Sequence, residues 1–287
     1  MQPEREHIVG GSDISWTYFT RRERQFGFRW HVHPEIELTL ITRGSGARFV
    51  GDSIEHYRPG DLALIGADVP HTYASSSTGA QQDADEHEAI VVQFRRDFLG
   101  ADLFTRPEFM HADRLLNEAS RGLAIEATPA MVNTLTSLPG LLPATRTLTL
   151  IDIVIQLTMA ETRPLSTSTR HPVLGGPARQ RINDICAYLH EHFRRPVSSE
   201  EVAAVAHMSP TALSRHFRRA LGQTMTDYVN ELRISAACEL LTDTELPITE
   251  IAAQCGYSNL SNFNRRFRAL KHTNPRHYRR MITEGSI

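Results

Sequence analysis

Val202-Ala203-Ala204 through Leu213-Ser214-Arg215-His216-Phe217 is repeated further on by Ile251-Ala252-Ala253 through Phe263-Asn264-Arg265-Arg266-Phe267. Each stretch reads as a small-residue helix, a short turn, and a second helix with a polar face and a buried phenylalanine. The copies stand 49 residues apart at the alanine pair and at the turn serines Ser209 and Ser258, and 50 apart at Arg215 and Arg265. The second copy has therefore gained one residue. Such a layout is a helix-turn-helix, whose second helix enters a DNA major groove. Two copies imply two successive grooves.

The flanking residues supply the punctuation. Ser198 with Glu201 predicts a capping box, Ser209-Pro210 an N-cap followed by a first-turn proline, and Ser258 the cap of the second recognition helix. Residues 226–241 predict one long helix with Tyr228, Leu232, Ala236, Leu240 and Leu241 on its apolar face, which would hold the two units at a fixed spacing. Gly222 suits a left-handed cap after the first recognition helix. The matching position in the second copy is His272, so that helix either takes His into this conformation or ends differently.

Charge follows the same division. The 287 residues carry a net charge of −2, but residues 1–177 hold 16 basic and 22 acidic side chains and residues 178–287 hold 15 and 11. No Asp or Glu occurs between Glu250 and Glu284, a stretch that holds Arg265, Arg266, Arg268, Lys271, Arg276, Arg279 and Arg280. A positive face of this kind suits phosphate. Cys186, Cys238 and Cys255 lack paired spacing and sit in apolar helical patterns, so buried reduced thiols are expected. No apolar run has the length of a membrane span, and the N-terminus lacks a signal-peptide core. A cytoplasmic chain without membrane contact is the expectation.

The first half reads differently. Ile14–Phe19, Ile36–Ile41, Ala47–Val50, Asp61–Ile65 and Ala89–Phe94 are short apolar runs separated by Gly44, Gly46, Gly51 and Pro59-Gly60, the pattern of closely spaced strands in a sandwich or barrel. Ser75–Glu88 reads as a polar loop. Helical periods follow over 109–119, 129–138 and 148–162, the last apolar on more than one face and suited either to the core or to a dimer interface. Residues 163–177, rich in Pro, Gly, Ser and Thr, read as a linker. The expected architecture is two-domain α+β: an N-terminal β-barrel followed by helices (1–162), then an all-α domain with two helix-turn-helix units (178–287).

Arg233-Ile234-Ser235-Ala236-Ala237 with Leu240-Leu241, then Ile248, Ile251-Ala252, Cys255-Gly256-Tyr257, Phe263, Phe267, Pro275 and Tyr278-Arg279 resemble the DNA-binding domain of the AraC family of transcription regulators over residues 179–280. The resemblance implies recognition helices at 210–221 and 260–270. It places Thr211, Ser214 and Arg215, and Ser261, Asn262, Asn264 and Arg265, toward bases; Arg218, Arg219, Arg266 and Arg268 are expected at phosphates or in solvent alone. Arg can read guanine and Asn adenine by paired hydrogen bonds. Phe217 and Phe267, at helical spacing from Leu213 and Phe263, are expected in the core. Implied partners are double-stranded promoter DNA, a small-molecule effector, a second copy of the chain and RNA polymerase; the implied outcome is activation or repression.

His31-Val32-His33-Pro34-Glu35-Ile36-Glu37, followed by Gly44, resembles the first cupin motif, and Pro70-His71 falls where the second motif keeps its histidine. Strand alternation would put His31, His33 and Glu37 on one face if the chain runs straight through Pro34. Three His and one Glu suit a divalent transition metal; the same residues equally suit polar groups lining a metabolite pocket, or satisfied structural histidines. His56 and His87 lack partners at ligand spacing and are expected at the surface. The leading function is a ligand-responsive regulator, not an enzyme, sensing a sugar or other small catabolic metabolite. A metal-dependent cupin enzyme fused to a DNA-binding module is the alternative.

Overall fold

The computed structural model describes residues 15–75, 87–169 and 176–283. Its first half is built on β1 (Thr17–Glu23), β2 (Ile36–Arg43), β3 (Gly46–Val50), β4 (Ser53–Tyr57), β5 (Leu62–Ile65), β6 (His71–Ser75) and β7 (His87–Phe94). After these come α1 (Met110–Glu118), β8 (Leu123–Ile125), α2 (Pro129–Ser137), α3 (Pro143–Leu157) and β9 (Thr162–Pro164). A six-stranded antiparallel sheet in the order β1-β7-β2-β5-β8-β9 lies against a three-stranded one, β4-β3-β6. The expected strands at β1, β2, β3, β5 and β7 are present. Four strands were not expected: β4 and β6 are too polar, and β8 and β9 too short, for an apolar run to betray them.

Strand β2 is buried from Ile36 to Ile41 because both its faces are covered. Alternation sends Ile36, Leu38 and Leu40 toward α1, α2 and α3, together with Ile90, Val92 and Phe94 of β7. The opposite faces carry Glu37, Thr39 and Ile41, with Ala89, Val91 and Gln93, into the space between the sheets. A polar cluster therefore sits behind an apolar one on the same strands.

Helix α3 starts earlier than expected, at Pro143, and ends at Leu157; residues 162–164 instead pair with β8. Proline pre-set at the first turn explains the early start. Leu150, Ile153, Val154 and Leu157 are buried, whereas Leu148, Ile155 and Met159 are exposed. Thr128 caps α2 ahead of Pro129. The expected loop at 75–88 lies mostly outside the described residues; Ser75 ends β6, and His87 and Glu88 begin β7.

The second half is α4 (Gly176–His192), α5 (Ser199–Val205), α6 (Pro210–Leu221), α7 (Met225–Asp243), α8 (Ile248–Gln254), α9 (Leu260–Lys271) and α10 (Pro275–Thr283). The capping box at Ser198 and Glu201 forms, and Ser209 caps α6. The cap of α9 is Asn259 and not Ser258: the Asn259 side chain accepts from Ser261 N and Asn262 N. The extra residue of the second copy thus lies in the turn, and the recognition helices are in register at an offset of 50 from cap to cap. Each copy has a left-handed residue in the turn and another after the recognition helix. In the first these are His207 and Gly222, in the second Gly256 and His272. At Gly256 a Cβ would lie 2.6 Å from the Arg194 carbonyl oxygen, so glycine is required there by contact as well as by φ.

Helix α7 is buried on more than the expected face. Tyr228, Leu232, Ala236 and Leu240 face the helical core, and Ser235 and Glu239 are buried as well. The reason is that β3 and β4 of the first half pack on α7, so that Ala47, Phe49 and Trp30 belong to the same apolar cluster as Leu213, Phe217 and Phe263. Ser45 donates to Glu239 across this contact at 3.2 Å. At the β3–β4 turn, Asp52 accepts from Ser166 Oγ and Thr167 N, and its carbonyl lies 3.5 Å from Gln223 Nε2 beside the end of α6.

Candidate functional site

His31, His33, Glu37 and His71 converge as expected, each offering a ligand atom within 4.8 Å of the others. They do not share one strand. His31 and His33 precede β2, which begins only at Ile36, because Pro34 has no N–H and interrupts the ladder. His31 is held instead by a two-residue bridge to His71, with backbone bonds of 3.2 and 3.0 Å in the two directions. Glu37 comes from β2 and His71 from the start of β6.

The three imidazoles are oriented alike. Nδ1 of His31 lies 2.7 Å from the Arg29 carbonyl, Nδ1 of His33 3.1 Å from that of Glu35, and Nδ1 of His71 2.8 Å from that of Val69. A carbonyl oxygen only accepts, so each Nδ1 carries the proton and each Nε2 is the variable atom. His33 Nε2 lies 3.1 Å and His71 Nε2 3.4 Å from Glu37 Oε2. The buried His71 Nε2 makes no hydrogen bond. Thr39 donates to Glu37 Oε1 at 2.6 Å and Gln93 to Oε2 at 2.7 Å.

Burial and the neighbouring His71 push His31 down to about 3, so it is neutral at ordinary pH. Burial opposes charge on Glu37 too, but the facing His71 and His33 outweigh it and hold the carboxyl well below its usual range. Burial would lower His33, yet its hydrogen bond to Glu37 raises it on balance. The cluster thus presents a fixed carboxylate faced by the Nε2 atoms of His33 and His71.

Beside the cluster lies a small chamber lined by Phe19, Arg21, Phe26, Tyr73, Ala89 and Val91, with His31, Glu37 and Thr39 at its polar end. Gln93 and Thr39 were missed in the sequence. A lone amide in the apolar run Ala89–Phe94, and a threonine two residues from Glu37 on the same strand face, were the available signals. His87 is not at the surface: it is 9% exposed, its ring 5.5 Å from that of Phe26, because β7 turns it inward. His56 is half-buried against α7 rather than solvent-borne. Cys186, Cys238 and Cys255 are free and buried as expected; burial pushes Cys186 and Cys255 up to about 12.

On the helical half, Thr211, Ser214, Arg215 and Arg218 are exposed on α6, and Ser261, Asn262, Asn264, Arg265 and Arg268 on α9. Leu213, Phe217, Phe263 and Phe267 on the opposite sides are buried as expected. Ser214 donates to its own helix, at Pro210 O. Arg265 donates to Asn262 Oδ1 at 3.0 Å, which fixes both side chains on one outward face. Arg266 turns away toward Asp227 of α7, 3.5 Å distant. Arg233 donates to the carbonyls of Phe193 and Arg195 and lies over the Tyr257 ring, and Tyr257 bonds Asn230 of α7. These bonds lock the second turn to the long helix.

Residues 13–84 match the family described as AraC-like ligand binding domain, and residues 202–281 match a family described as helix-turn-helix domain. The chain belongs to the AraC family. The HTH-type transcriptional activator RhaS of Enterobacter sp. (strain 638) is 36% identical over 99 residues, covering 34% of this chain and 36% of the activator. An uncharacterized HTH-type transcriptional regulator of Staphylococcus aureus is 34% identical over 99 residues, covering 34% of this chain and 13% of its own. The chain thus spans about a third or less of the length of these two relatives. A solved transcriptional regulator with an AraC-type DNA-binding domain, from Chromobacterium violaceum, covers 37% of this chain and 94% of its own at 26% identity, with a TM-score of 0.35. No helix among the described residues is long and apolar enough to cross a membrane.

Proposed function

We propose that the protein is a ligand-responsive, sequence-specific DNA-binding regulator of transcription. The observation that carries this reading is the exposed, polar and basic outer face of both α6 and α9, backed by buried Phe217 and Phe267 and joined through a single buried helix. Each recognition helix enters one of two successive major grooves. Thr211, Ser214 and Arg215 meet bases in one, and Ser261, Asn262, Asn264 and Arg265 in the other; Arg218 and Arg268 meet phosphates. The matched families are an AraC-like ligand binding domain and a helix-turn-helix domain, and the reading is of a regulator and not an enzyme. Glu37, the one carboxylate of the cluster, is already committed to Thr39, Gln93 and two histidines, which disfavours the enzyme alternative.

The effector enters the space between the sheets, where the cluster and Arg21 supply polar contacts. An effector can shift the regulator only by binding one arrangement better than another. A sugar or similar metabolite would have to open this chamber, whose free volume is about 30 Å³. Two copies associate through α3, whose exposed Leu148 and Ile155 lie along one side, with exposed Met159 just beyond its end. Cytoplasmic residence and contact with RNA polymerase follow from the same reading.

The test is selection of bound sequences from a random DNA pool, followed by footprinting. A two-groove footprint with a defined sequence supports the reading. Binding of equal strength to all sequences overturns it.

A further inference from the structure

We propose that the open groove between α9 and α10 seats the sugar–phosphate backbone of one DNA strand, with Arg268 of α9 and Arg276 of α10 on its phosphates. The second helix-turn-helix unit is then the salt-dependent anchor of the protein, and the first is not. The proposal rests on the DNA-binding reading and adds to it a contact surface outside the recognition faces.

The first argument is position. The groove has a free volume of about 700 Å³, and its walls come from the start of α8, one side of α9 and the start of α10. Leu260, Asn264 and Arg268, four residues apart, form one stripe along α9 on that side. Ser261 and Arg265, assigned to bases, form the neighbouring stripe. A duplex read by α9 therefore brings the rim of its major groove, which is phosphate backbone, alongside this wall. Ile248 and Leu260 give the groove an apolar side on which a deoxyribose can rest.

The second argument is uncommitted charge. Arg265 bonds Asn262, and Arg266 faces Asp227. Arg279 donates to the carbonyls of Leu241 and Leu246 at 3.4 and 2.8 Å, and so fastens α10 to the connection between α7 and α8. Arg268 and Arg276 are exposed, and neither forms a salt bridge among the described residues. No Asp or Glu lies between Glu250 and Glu284 to neutralise them. Two guanidinium groups bordering one groove repel each other until an anion lies between them, and their planar forks match phosphate oxygens.

The third is the contrast between the two copies. At the offset of 50 from cap to cap, the places of Arg268, Arg276 and Arg279 are taken in the first copy by Arg218, Thr226 and Val229. Thr249 matches Glu200 at the offset of 49, and His277 matches Asp227. Glu200 and Asp227 stand in the first turns of α5 and α7. The first copy folds without the arginines, so the packing of the motif does not require them. Its acidic side chains would repel a phosphate chain, which leaves that unit to engage DNA through its base-facing residues.

The experiment uses the full chain and two fluorescent duplexes, one of the selected sequence and one unrelated, with affinity measured over a series of salt concentrations. Arg276→Ala should weaken both duplexes alike and make the slope of log affinity against log salt shallower by about 0.9, the value of one phosphate. Arg276→Lys, which keeps the charge, should retain most of the slope. Thr226→Ala, at the matching place in the first copy, and Arg114→Ala, on α1 of the sensor, should leave it unchanged. All four changes fall on exposed side chains and are expected to leave the fold intact. An unchanged slope in Arg276→Ala overturns the proposal, as does a relaxed preference at one base pair with the slope retained, which marks a base contact. An equal loss of slope in Arg114→Ala reduces the effect to net charge and overturns it too. DNA binding intact in Arg276→Ala, with transcription from the bound promoter lost, would give the groove to an acidic protein segment instead. Failure of the wild type to bind any duplex is a separate result, which overturns the DNA-binding reading itself.

Discussion

Phe49 of the sensor sheet stacks on Tyr228 of α7, with ring centroids 6.0 Å apart and planes at 27°, and Tyr228 in turn meets Phe217 of α6 edge-on at 5.3 Å. A side chain from the ligand-binding half is thus two aromatic contacts from a recognition helix. Phe49 is 1% exposed, so Phe49→Ala should cost about 3 kcal/mol or more. In the calorimeter the expected result is two separate melting transitions where the wild type shows one. A single transition, merely shifted, would mean that the two halves are coupled elsewhere.

The crosswise placement of His and Gly in the two helix-turn-helix copies gives a second prediction. His272 sits at φ 54° after α9, where the first copy has Gly222. A non-glycine residue there costs about 1 kcal/mol, so His272→Gly should raise stability by roughly that amount in a denaturant melt. The reverse change, Gly256→Ala, should destabilise, since its Cβ would strike the Arg194 carbonyl.

Arg265 and Asn262 hold each other at 3.0 Å on the outward face of α9. Arg265→Ala should lower affinity for the selected site by about 1–3 kcal/mol and relax preference at one base pair. Asn262→Ala should have a smaller effect of the same kind, by freeing Arg265. Arg268→Ala should instead weaken all sequences alike and reduce the salt slope by about one. Footprint titrations across two salt concentrations separate the patterns.

Glu231 lies on α7 beside Gln223, near Asp52 of the sensor and Asp227. Burial, with the charges of those aspartates, pushes it up to about 7 despite the hydrogen bond from Gln223. An unfolded glutamate titrates near 4.5, so the folded state holds a proton that the unfolded chain has lost between these values. The stabilisation is complete below about 4.5 and disappears as pH rises through about 7. Melting temperature should therefore fall between about pH 4.5 and pH 7 and level off above. Glu231→Gln should flatten that part of the profile, by on the order of 1 kcal/mol given partial exposure. An unchanged slope in the variant would refute the assignment.

The helical half was legible because its signals are local. Caps, a proline at the first turn and apolar spacing all lie within a few residues of what they specify, and only the cap of α9 was misplaced, by the inserted residue itself. In the first half the four donors could be named, since His31, His33, Glu37 and His71 are chemically conspicuous. Their route into one place could not, because Pro34 breaks the strand and the bridge between His31 and His71 joins distant residues. The contact of β3 and β4 on α7 left no periodic trace either. Helix α7 is apolar on one face for the helical core, and the sensor meets the edge of that face at Tyr228 together with polar Ser235 and Glu239.

Asp52 grips Ser166 and Thr167 just after the last sensor strand, and eight residues, 168–175, separate Thr167 from the start of α4 at Gly176. A chain of that length reaches at most about 30 Å. While the grip holds, the DNA-binding half is on a short leash: a swing away from its own sensor can carry it about nine base pairs along a duplex. Promoters whose half-sites demand a wider stride would be served only after Asp52 lets go.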